Sequence, residues 1–263
     1  MKIDLILFAG QSNMAGRGTA EEAPRCEAYM GQEFRAVSDT GRLYPIEEPF
    51  GKRENNPQGM DDGERKTGSL VSAFVREYYE RTGHTVIAVS ASKGGSSSKQ
   101  WAAGYVRDAA ERLRRARAYL DKKQIQVAHT YVLWSQGETD GDHGVSAGQY
   151  RENFRLIWET LKEAGAESCF LIQTGHFNYV EYPQCEDGVS GREIDGRYAE
   201  IRRAQEDMCS HGKDAVPGVY LAARFGEYLH LMKDRFHYKQ QAYNEVGRTA
   251  AANMAERLSR GGE

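Results

Sequence analysis

Three side chains of the sequence are of the types that perform nucleophilic catalysis: Ser12, Asp234 and His237. A serine hydroxyl is a weak nucleophile until a neighbouring imidazole removes its proton, and that imidazole needs a carboxylate to hold its tautomer. Asp234 and His237 are separated by only two residues, so a single turn of the chain can bring them together. The sequence therefore makes Ser12 a candidate nucleophile, His237 its base and Asp234 the group that orients the base.

A reaction of this kind also needs hydrogen-bond donors for the negative oxygen of its tetrahedral intermediate. The backbone N–H groups of Ser12 and Gly95 and the side-chain amide of Gln136 are donors of the required kind. Gly95 also lets the backbone approach a reacting carbon without a Cβ in between. These three residues form a candidate oxyanion hole.

Each of these residues also has a simpler interpretation. Ser12 can be the N-cap of a helix, Gly94-Gly95 a plain turn, and Gln136 a satisfied polar residue at a strand end. Other polar side chains near these motifs are candidates to contact substrate or to support the catalytic groups: Gln11, Glu138 and His176. Glu138 is also the alternative carboxylate for the imidazole.

A second serine, Ser146, lies in a Gly-x-Ser-x-Gly pattern at residues 144–148. In α/β-hydrolases the serine of this pattern directly follows a strand, but residues 138–143 are polar and loop-like. Ser146 and Gln149 fit a capping box that begins a helix. We interpret Ser146 as a helix cap.

Four segments between residues 10 and 238 resemble recurring blocks of one protein family: Gly10-Gln11-Ser12-Asn13-Met14, Gln136-Gly137-Glu138-Thr139-Asp140, Ile201-Arg202-Arg203-Ala204-Gln205 and Asp234-x-x-His237-Tyr238. Together they resemble the branch of the SGNH-hydrolase superfamily that contains the sialic-acid-type acetylesterases and carbohydrate esterase family 6. The resemblance implies a three-layer α/β/α fold, a Ser12–His237–Asp234 triad, and neither a metal nor a cofactor. It also implies that Gly95 and Gln136 complete the oxyanion hole.

Two departures from the family pattern concern the shape of the pocket. Gln136 stands where many superfamily members have Asn, and bulky Arg235-Phe236 separates Asp234 from His237 where smaller residues are common.

The resemblance implies hydrolysis of acetyl esters of carbohydrates, such as acetylxylan or O-acetyl sialic acid, through an acyl-enzyme. The alternatives are an esterase for a non-carbohydrate ester and a non-catalytic carbohydrate-binding protein of this fold.

The elements that must position these motifs follow from the hydrophobic pattern. The predicted strands are apolar runs without polar alternation: Ile3–Ala9, Thr85–Ala91, Val127–Trp134, Cys169–Thr174 and Gly218–Ala222. Such runs are typical of parallel strands that are buried on both faces, and amphipathic helical stretches separate them. The polar stretches 19–66 and 177–195 are predicted to be long loops. Residues 1–263 are thus predicted to form one flavodoxin-like α/β domain with a mainly parallel five-stranded sheet.

The composition of the 263-residue chain is that of an ordinary soluble enzyme. A formal net charge of -3 gives no electrostatic reason to expect nucleic acid or an acidic membrane as a partner. The arginines between residues 112 and 117 have helical spacing and are interpreted as a solvated helix face. The four cysteines show no metal-ligand spacing, and Asp4 interrupts the first apolar run. The sequence therefore predicts a cytoplasmic protein with reduced thiols, whose partner is an acetylated carbohydrate.

Overall fold

Seven strands form one sheet in the computed structural model, which describes residues 2–185 and 188–260. They are β1 (Ile3–Gly10), β2 (Gly31–Arg35), β3 (Asp39–Pro45), β4 (Thr85–Ser92), β5 (His129–Ser135), β6 (Ser168–Gln173) and β7 (Val219–Arg224). Their order is β3-β2-β4-β1-β5-β6-β7, and all neighbours are parallel except β2 and β3. Strands β4, β1, β5, β6 and β7 have the flavodoxin-like order.

All five predicted strands are present, and burial on both faces explains their sequence pattern. In β1, Leu5, Leu7 and Ala9 belong to one hydrophobic cluster, and Ile6 and Phe8 belong to the other. Because successive side chains point to opposite faces, a strand between two cores is apolar at every position. The prediction of a mainly parallel α/β sheet is confirmed.

The predicted number of strands was wrong, because β2 and β3 lie in the stretch 19–66 that was expected to be irregular. Strand β2 contains Glu33 and Arg35, whose side chains form an ion pair of 2.8 Å. Strand β3 is half-buried or exposed along its whole length and contains a glycine and a proline. These two strands extend the sheet at one edge, where polar side chains reach solvent, so they lack the apolar run that marks the other five.

Helices cover both faces of the sheet. Those in the described residues are α1 (Ser12–Ala15), α2 (Val71–Thr82), α3 (Ser98–Gln100), α4 (Val106–Lys122), α5 (Glu138–Asp142), α6 (Ala147–Glu163), α7 (Gly191–Cys209) and α8 (Gln240–Arg260). A π-helical segment, Trp101–Tyr105, joins α3 to α4. The apolar stripes of α4, α6 and α7 pack in one cluster, and those of α2 and α8 pack in the other. The fold is therefore the predicted three-layer α/β/α arrangement.

The interpretation of Ser146 as a helix cap is confirmed. Ser146 has an extended backbone and directly precedes α6, and its Oγ accepts a hydrogen bond of 3.3 Å from the backbone N–H of Gln149. No strand precedes it, because residues 138–142 form α5. Ser146 therefore stabilises the start of α6.

The interpretation of the arginine cluster as a solvated face was wrong at Arg112, which is 1% exposed. Its guanidinium pairs with Asp108 and donates to the carbonyl oxygens of Glu54 and Ser90. Arg112 falls on the buried stripe of α4, where an unpaired charge would be costly, so it ties this helix to the loop before α2. The exposed members of the cluster are Arg114, Arg115 and Arg117.

The cysteines are free thiols, as predicted: Cys26, Cys169, Cys185 and Cys209. Burial raises the pKa of Cys169 well above its usual range, which keeps this thiol protonated. Across the described residues, no helix is both long and apolar enough to span a bilayer.

Candidate active site

Ser12 stands where the central strand of the sheet turns into a helix. Strand β1 ends at Gly10, and Ser12 is the first residue of α1. Gly10 has a φ of +145°, and a Cβ at this position would lie 1.9 Å from the carbonyl oxygen of Ser135 at the end of β5. Only glycine fits this contact. It places Ser12 at the carboxyl ends of β1 and β5, where ligands bind in sheets of this order.

Ser12, His237 and Asp234 form a continuous chain of hydrogen bonds. Ser12 Oγ lies 3.0 Å from Nε2 of His237, and Nδ1 of His237 lies 3.0 Å from Oδ2 of Asp234. A carboxylate only accepts, so the proton of the neutral imidazole is on Nδ1 and Nε2 is free to accept from the serine. This is the geometry that a serine nucleophile and its general base require.

Asp234 is held as a carboxylate by the turn in which it lies. Its Oδ1 accepts the backbone N–H groups of Phe236 and His237, each at 2.8 Å. Burial raises its pKa, but the hydrogen bond from His237 and these two backbone donors outweigh burial and lower the pKa of Asp234 to about 2. The group beside the imidazole is therefore negatively charged at neutral pH.

The bulky residues between Asp234 and His237 pack against the loop that follows β6, and the ring of Phe236 also meets the imidazole of His237 edge-on at 6.0 Å. The ring of Phe236 meets that of Phe177 edge-on at 5.9 Å, and Arg235 lies over the ring of Tyr182 at 5.2 Å. The loop that follows β6 thus supports the turn of residues 234–237 and accommodates the bulky side chains at 235 and 236, which depart from the family pattern.

The loop after β4 presents a free backbone donor next to Ser12. The N–H of Gly94 donates to Oδ1 of Asp62 at 2.7 Å, and Gly95 follows with a φ of +65°. Over residues 2–185 and 188–260, the N–H groups of Ser12 and Gly95 donate to no protein acceptor. Two of the three predicted oxyanion donors are therefore unengaged.

Asp62 and Arg17 belong to this site, although sequence reasoning missed both. Arg17 Nη2 lies 2.9 Å from Oδ2 of Asp62, which is fully buried. A Cβ at Gly94 would lie 2.3 Å from Arg17 Nη2 and 3.5 Å from Cβ of Ser12, so this ion pair borders the nucleophile. Asp62 lies in a polar stretch with no recognisable motif, and only the tertiary fold reveals its role.

The structure places Gln136 behind the site, with its amide hydrogens used internally. Its Nε2 contacts the carbonyl oxygen of Ser96 at 3.0 Å, Oε1 of Gln11 at 3.3 Å, and Oδ2 of Asp140. An amide has two hydrogens, so three acceptors leave none for a substrate oxygen. Gln136 is 0% exposed and braces the loops that carry the two free donors.

Gln11 also has a bracing position. Its Oε1 accepts from the N–H groups of Gly137 and Thr139, at 3.2 and 3.3 Å, at the beginning of α5. The side chain is 2% exposed. Gln11 therefore supports the nucleophile loop from inside the protein.

The structure brings Asp234 to His237 and gives Glu138 a different partner. Glu138 Oε1 accepts from Nδ2 of Asn13 at 2.6 Å, and the same nitrogen lies 3.1 Å from the carbonyl oxygen of Phe236. Oδ1 of Asn13 accepts from Tyr243. Burial raises the pKa of Glu138, although the hydrogen bond from Asn13 opposes this. Asn13 thus links the helix of Ser12 to Glu138 and to the turn of His237.

His176 forms a second histidine–aspartate pair, outside the triad. Its Nδ1 lies 2.9 Å from Oδ2 of Asp195, which also pairs with Arg202 at 3.1 Å. His176 lines an open cavity of about 450 Å³ together with Arg202 and Arg224. Trp101 is 0% exposed and donates to Ser96 Oγ at 2.9 Å, so its ring offers no surface to a sugar.

The family described as carbohydrate esterase, sialic acid-specific acetylesterase matches residues 2–256. The chain belongs to this family. Among curated proteins, none matches the sequence.

Three solved structures are similar to this chain. A protein from Arabidopsis thaliana has a TM-score of 0.70 and 18% identity, over 96% of this chain and 98% of its own. NanS has a TM-score of 0.56 and 12% identity, over 98% of this chain and 97% of its own. A carbohydrate acetylesterase from Xanthomonas citri has a TM-score of 0.57 and 19% identity, over 99% of this chain and 57% of its own. These likenesses show a shared fold.

Proposed function

We propose that this chain is a serine esterase that removes O-acetyl groups from carbohydrates through an acyl-enzyme. The observation that carries the proposal is the chain of hydrogen bonds from Ser12 through His237 to Asp234, beside two free backbone donors. Membership of a carbohydrate esterase family supports the choice of an acetylated carbohydrate as substrate. The substrates that fit are acetylxylan, O-acetyl sialic acid and related acetylated glycans.

Acylation begins when the acetyl carbonyl group lies against Ser12. Nε2 of His237 accepts the hydroxyl proton as Oγ of Ser12 attacks the carbonyl carbon. The backbone N–H groups of Ser12 and Gly95 donate to the oxygen that becomes negative. The Asp234 carboxylate stabilises the imidazolium, which then gives its proton to the departing sugar oxygen.

Deacylation uses the same groups with water as the nucleophile. His237 accepts a proton from water as its oxygen attacks the acetyl carbon, and the same two N–H groups again stabilise the oxyanion. Collapse of the intermediate breaks the bond to Ser12 Oγ, which regains its proton from His237, and acetate leaves. The site returns to its starting state.

The role of the polar side chains around the triad follows from their contacts. We assign Gln11, Gln136 and Asp62 to positioning, because each holds a loop that carries a catalytic or donor group. His176 lies on the loop after β6, which also supports the turn of His237. This placement makes His176 a candidate substrate contact.

The experiment is an assay of acetate release with Ser12→Ala and Ser146→Ala as a matched pair. On a chromogenic acetate ester, Ser12→Ala should lower turnover by on the order of 10³-fold or more, because it removes the nucleophile. Ser146→Ala should retain near-normal turnover. More than a tenth of the wild-type rate in Ser12→Ala would exclude Ser12 as the nucleophile.

A panel of acetylated sugars then separates the proposal from its alternatives. Release of acetate from a glycan supports the carbohydrate esterase. Turnover of simple acetate esters with no glycan turned over would favour a non-carbohydrate substrate. Binding of a glycan with no turnover of any ester would favour a carbohydrate-binding protein that retains the fold.

A further inference from the structure

One carboxylate and two imidazoles converge at the amino ends of three central strands, at the opposite end of these strands from Ser12. Asp4 lies at the start of β1, His84 directly before β4, and His129 at the start of β5, and these three strands are adjacent. Oδ2 of Asp4 lies 2.8 Å from Nδ1 of His84, and Oδ1 lies 2.9 Å from Nδ1 of His129. One ligand atom from each residue lies within 4.8 Å of the other two.

The Asp4 carboxylate has no permanent cation beside it. It is 0% exposed, and it also accepts a hydrogen bond of 2.6 Å on Oδ2 from the hydroxyl of Tyr78. No lysine or arginine within residues 2–185 and 188–260 forms an ion pair with it. A buried carboxylate is costly unless its charge is compensated, and a metal cation held between it and the two imidazoles would compensate that charge.

The two imidazoles are arranged as a pair of ligands. Their rings stack with an interplanar angle of 9° and a centroid distance of 6.0 Å, and both turn Nδ1 towards Asp4. Both rings line an open cavity of about 1100 Å³. The cavity gives an ion a route to the two imidazoles and gives water access to the ion.

We propose that Asp4, His84 and His129 bind a Zn²⁺ ion, with water from the cavity as the fourth ligand. Two imidazole nitrogens and one carboxylate oxygen are a donor set that zinc accepts. Zinc bonds of 2.0–2.1 Å in a tetrahedron place neighbouring ligand atoms about 3.3 Å apart. The contacts of 2.8 and 2.9 Å go to different oxygens of Asp4, and the three candidate ligand atoms lie within 4.8 Å of one another, so admitting the ion requires both imidazoles to rotate until one oxygen and two nitrogens surround it.

Zinc binding neither releases nor takes up a proton when both imidazoles are neutral. Each ring then carries its proton on Nε2 instead of Nδ1, and the freed Nδ1 lone pair binds the metal. The Tyr78 hydroxyl continues to donate to the carboxylate and holds it in position. Such outer partners typically tune metal affinity.

The position of the site indicates a structural role. The ligands come from the starts of three neighbouring strands, so a bound ion would cross-link these three strands. The triad lies at the other ends of the same strands and contains none of these residues. Zinc should therefore raise the thermal stability of the protein and leave acetate release unchanged.

The test is calorimetric titration of chelator-treated protein with Zn²⁺ alone. The wild type should bind one equivalent, and His84→Gln and His129→Gln should each weaken binding by about tenfold or more. Tyr78→Phe should weaken it by about tenfold, as expected for an outer partner. His211→Gln is the matched control, because His211 is an exposed histidine elsewhere, and it should bind zinc like the wild type.

A second measurement keeps the result interpretable if a variant is unstable. Ester turnover of each variant reports whether it is folded, and melting with and without Zn²⁺ reports whether the ion binds the native state. Absence of stoichiometric binding by the wild type would overturn the proposal. So would equal affinity in the wild type and in folded His84→Gln and His129→Gln.

Discussion

The two oxygens of the Asp234 carboxylate have different partners, and this division fixes the catalytic imidazole. Oδ1 accepts two backbone N–H groups of its own turn, so the carboxylate cannot rotate freely. Oδ2 is thereby aimed at Nδ1 of His237. The orientation of the imidazole is therefore set within four consecutive residues, and Asn13 and the loop after β6 hold that turn in place.

Replacement of Asp234 by Asn should leave Ser12 and His237 in place but favour the wrong imidazole tautomer. The precedent of the serine proteases is a drop of about 10⁴ in kcat. The measurement is kcat on a chromogenic acetate ester, with a melting curve to confirm that the variant is folded. A mild effect would remove Asp234 from the role of orienter.

Glu138→Gln should cost much less activity, because Glu138 contacts Asn13 and not His237. The amide oxygen of Gln can still accept from Asn13. A severe loss of kcat in Glu138→Gln beside a mild loss in Asp234→Asn would transfer the orienting role to Glu138.

The pH dependence of the stability of the wild type, compared with that of Glu138→Gln, should reveal the raised pKa of Glu138. A carboxyl whose pKa is raised by folding contributes stability below its ordinary pKa of 4.5 and loses it as the pH rises through the raised pKa. The melting temperature of the wild type, relative to that of Glu138→Gln, should therefore fall as the pH rises above 4.5. A difference that is constant with pH would contradict the raised pKa.

At the scale of elements, the positions of Ser12, Gly95 and Gln136 could be predicted because each residue lies just after a buried strand. Apolar runs marked β1, β4 and β5, and parallel strands bring their carboxyl ends to one edge, so Ser12, Gly95 and Gln136 were expected to be neighbours. The sequence could not reveal that the amide of Gln136 is used internally. Its acceptors come from separate loops, and only packing brings them together.

The edge strands and the Asp62–Arg17 pair escaped prediction for a related reason. Strand β2 carries two charged residues and β3 is half-buried or exposed throughout, so their patterns resemble that of a loop. Asp62 becomes part of the site only because the long connection folds back over the loop after β4. Such contacts depend on tertiary structure and leave no local periodicity.

The cap at the start of α6 has a measurable energetic role. Ser146→Ala removes the acceptor for the N–H of Gln149 and should lower the free energy of unfolding by roughly 0.5–2 kcal/mol. Turnover should be nearly unchanged, since α6 carries no triad residue. Denaturant unfolding beside an ester assay measures both quantities. A folded but inactive Ser146→Ala protein would instead support a nucleophile in the Gly-x-Ser-x-Gly pattern.

At the scale of the whole molecule, the dependence of activity on pH should reflect a single group on the acidic side. Asp234, with its pKa lowered to about 2, stays charged throughout the range in which the protein is assayed. His237 must be neutral to accept the serine proton, so kcat/KM should fall with a slope of one as its imidazole is protonated. A slope of two would show that a second group must also be deprotonated.

The hydrogen bond between Ser12 and His237 joins residues that are 225 positions apart. During synthesis Ser12 is added before six of the seven strands, and His237 is added after all of them. No nascent or prematurely terminated chain that ends before residue 237 contains both groups. The proposed ester hydrolysis therefore requires that all seven strands have been made, and the appearance of activity in a timed translation would report completion of the sheet.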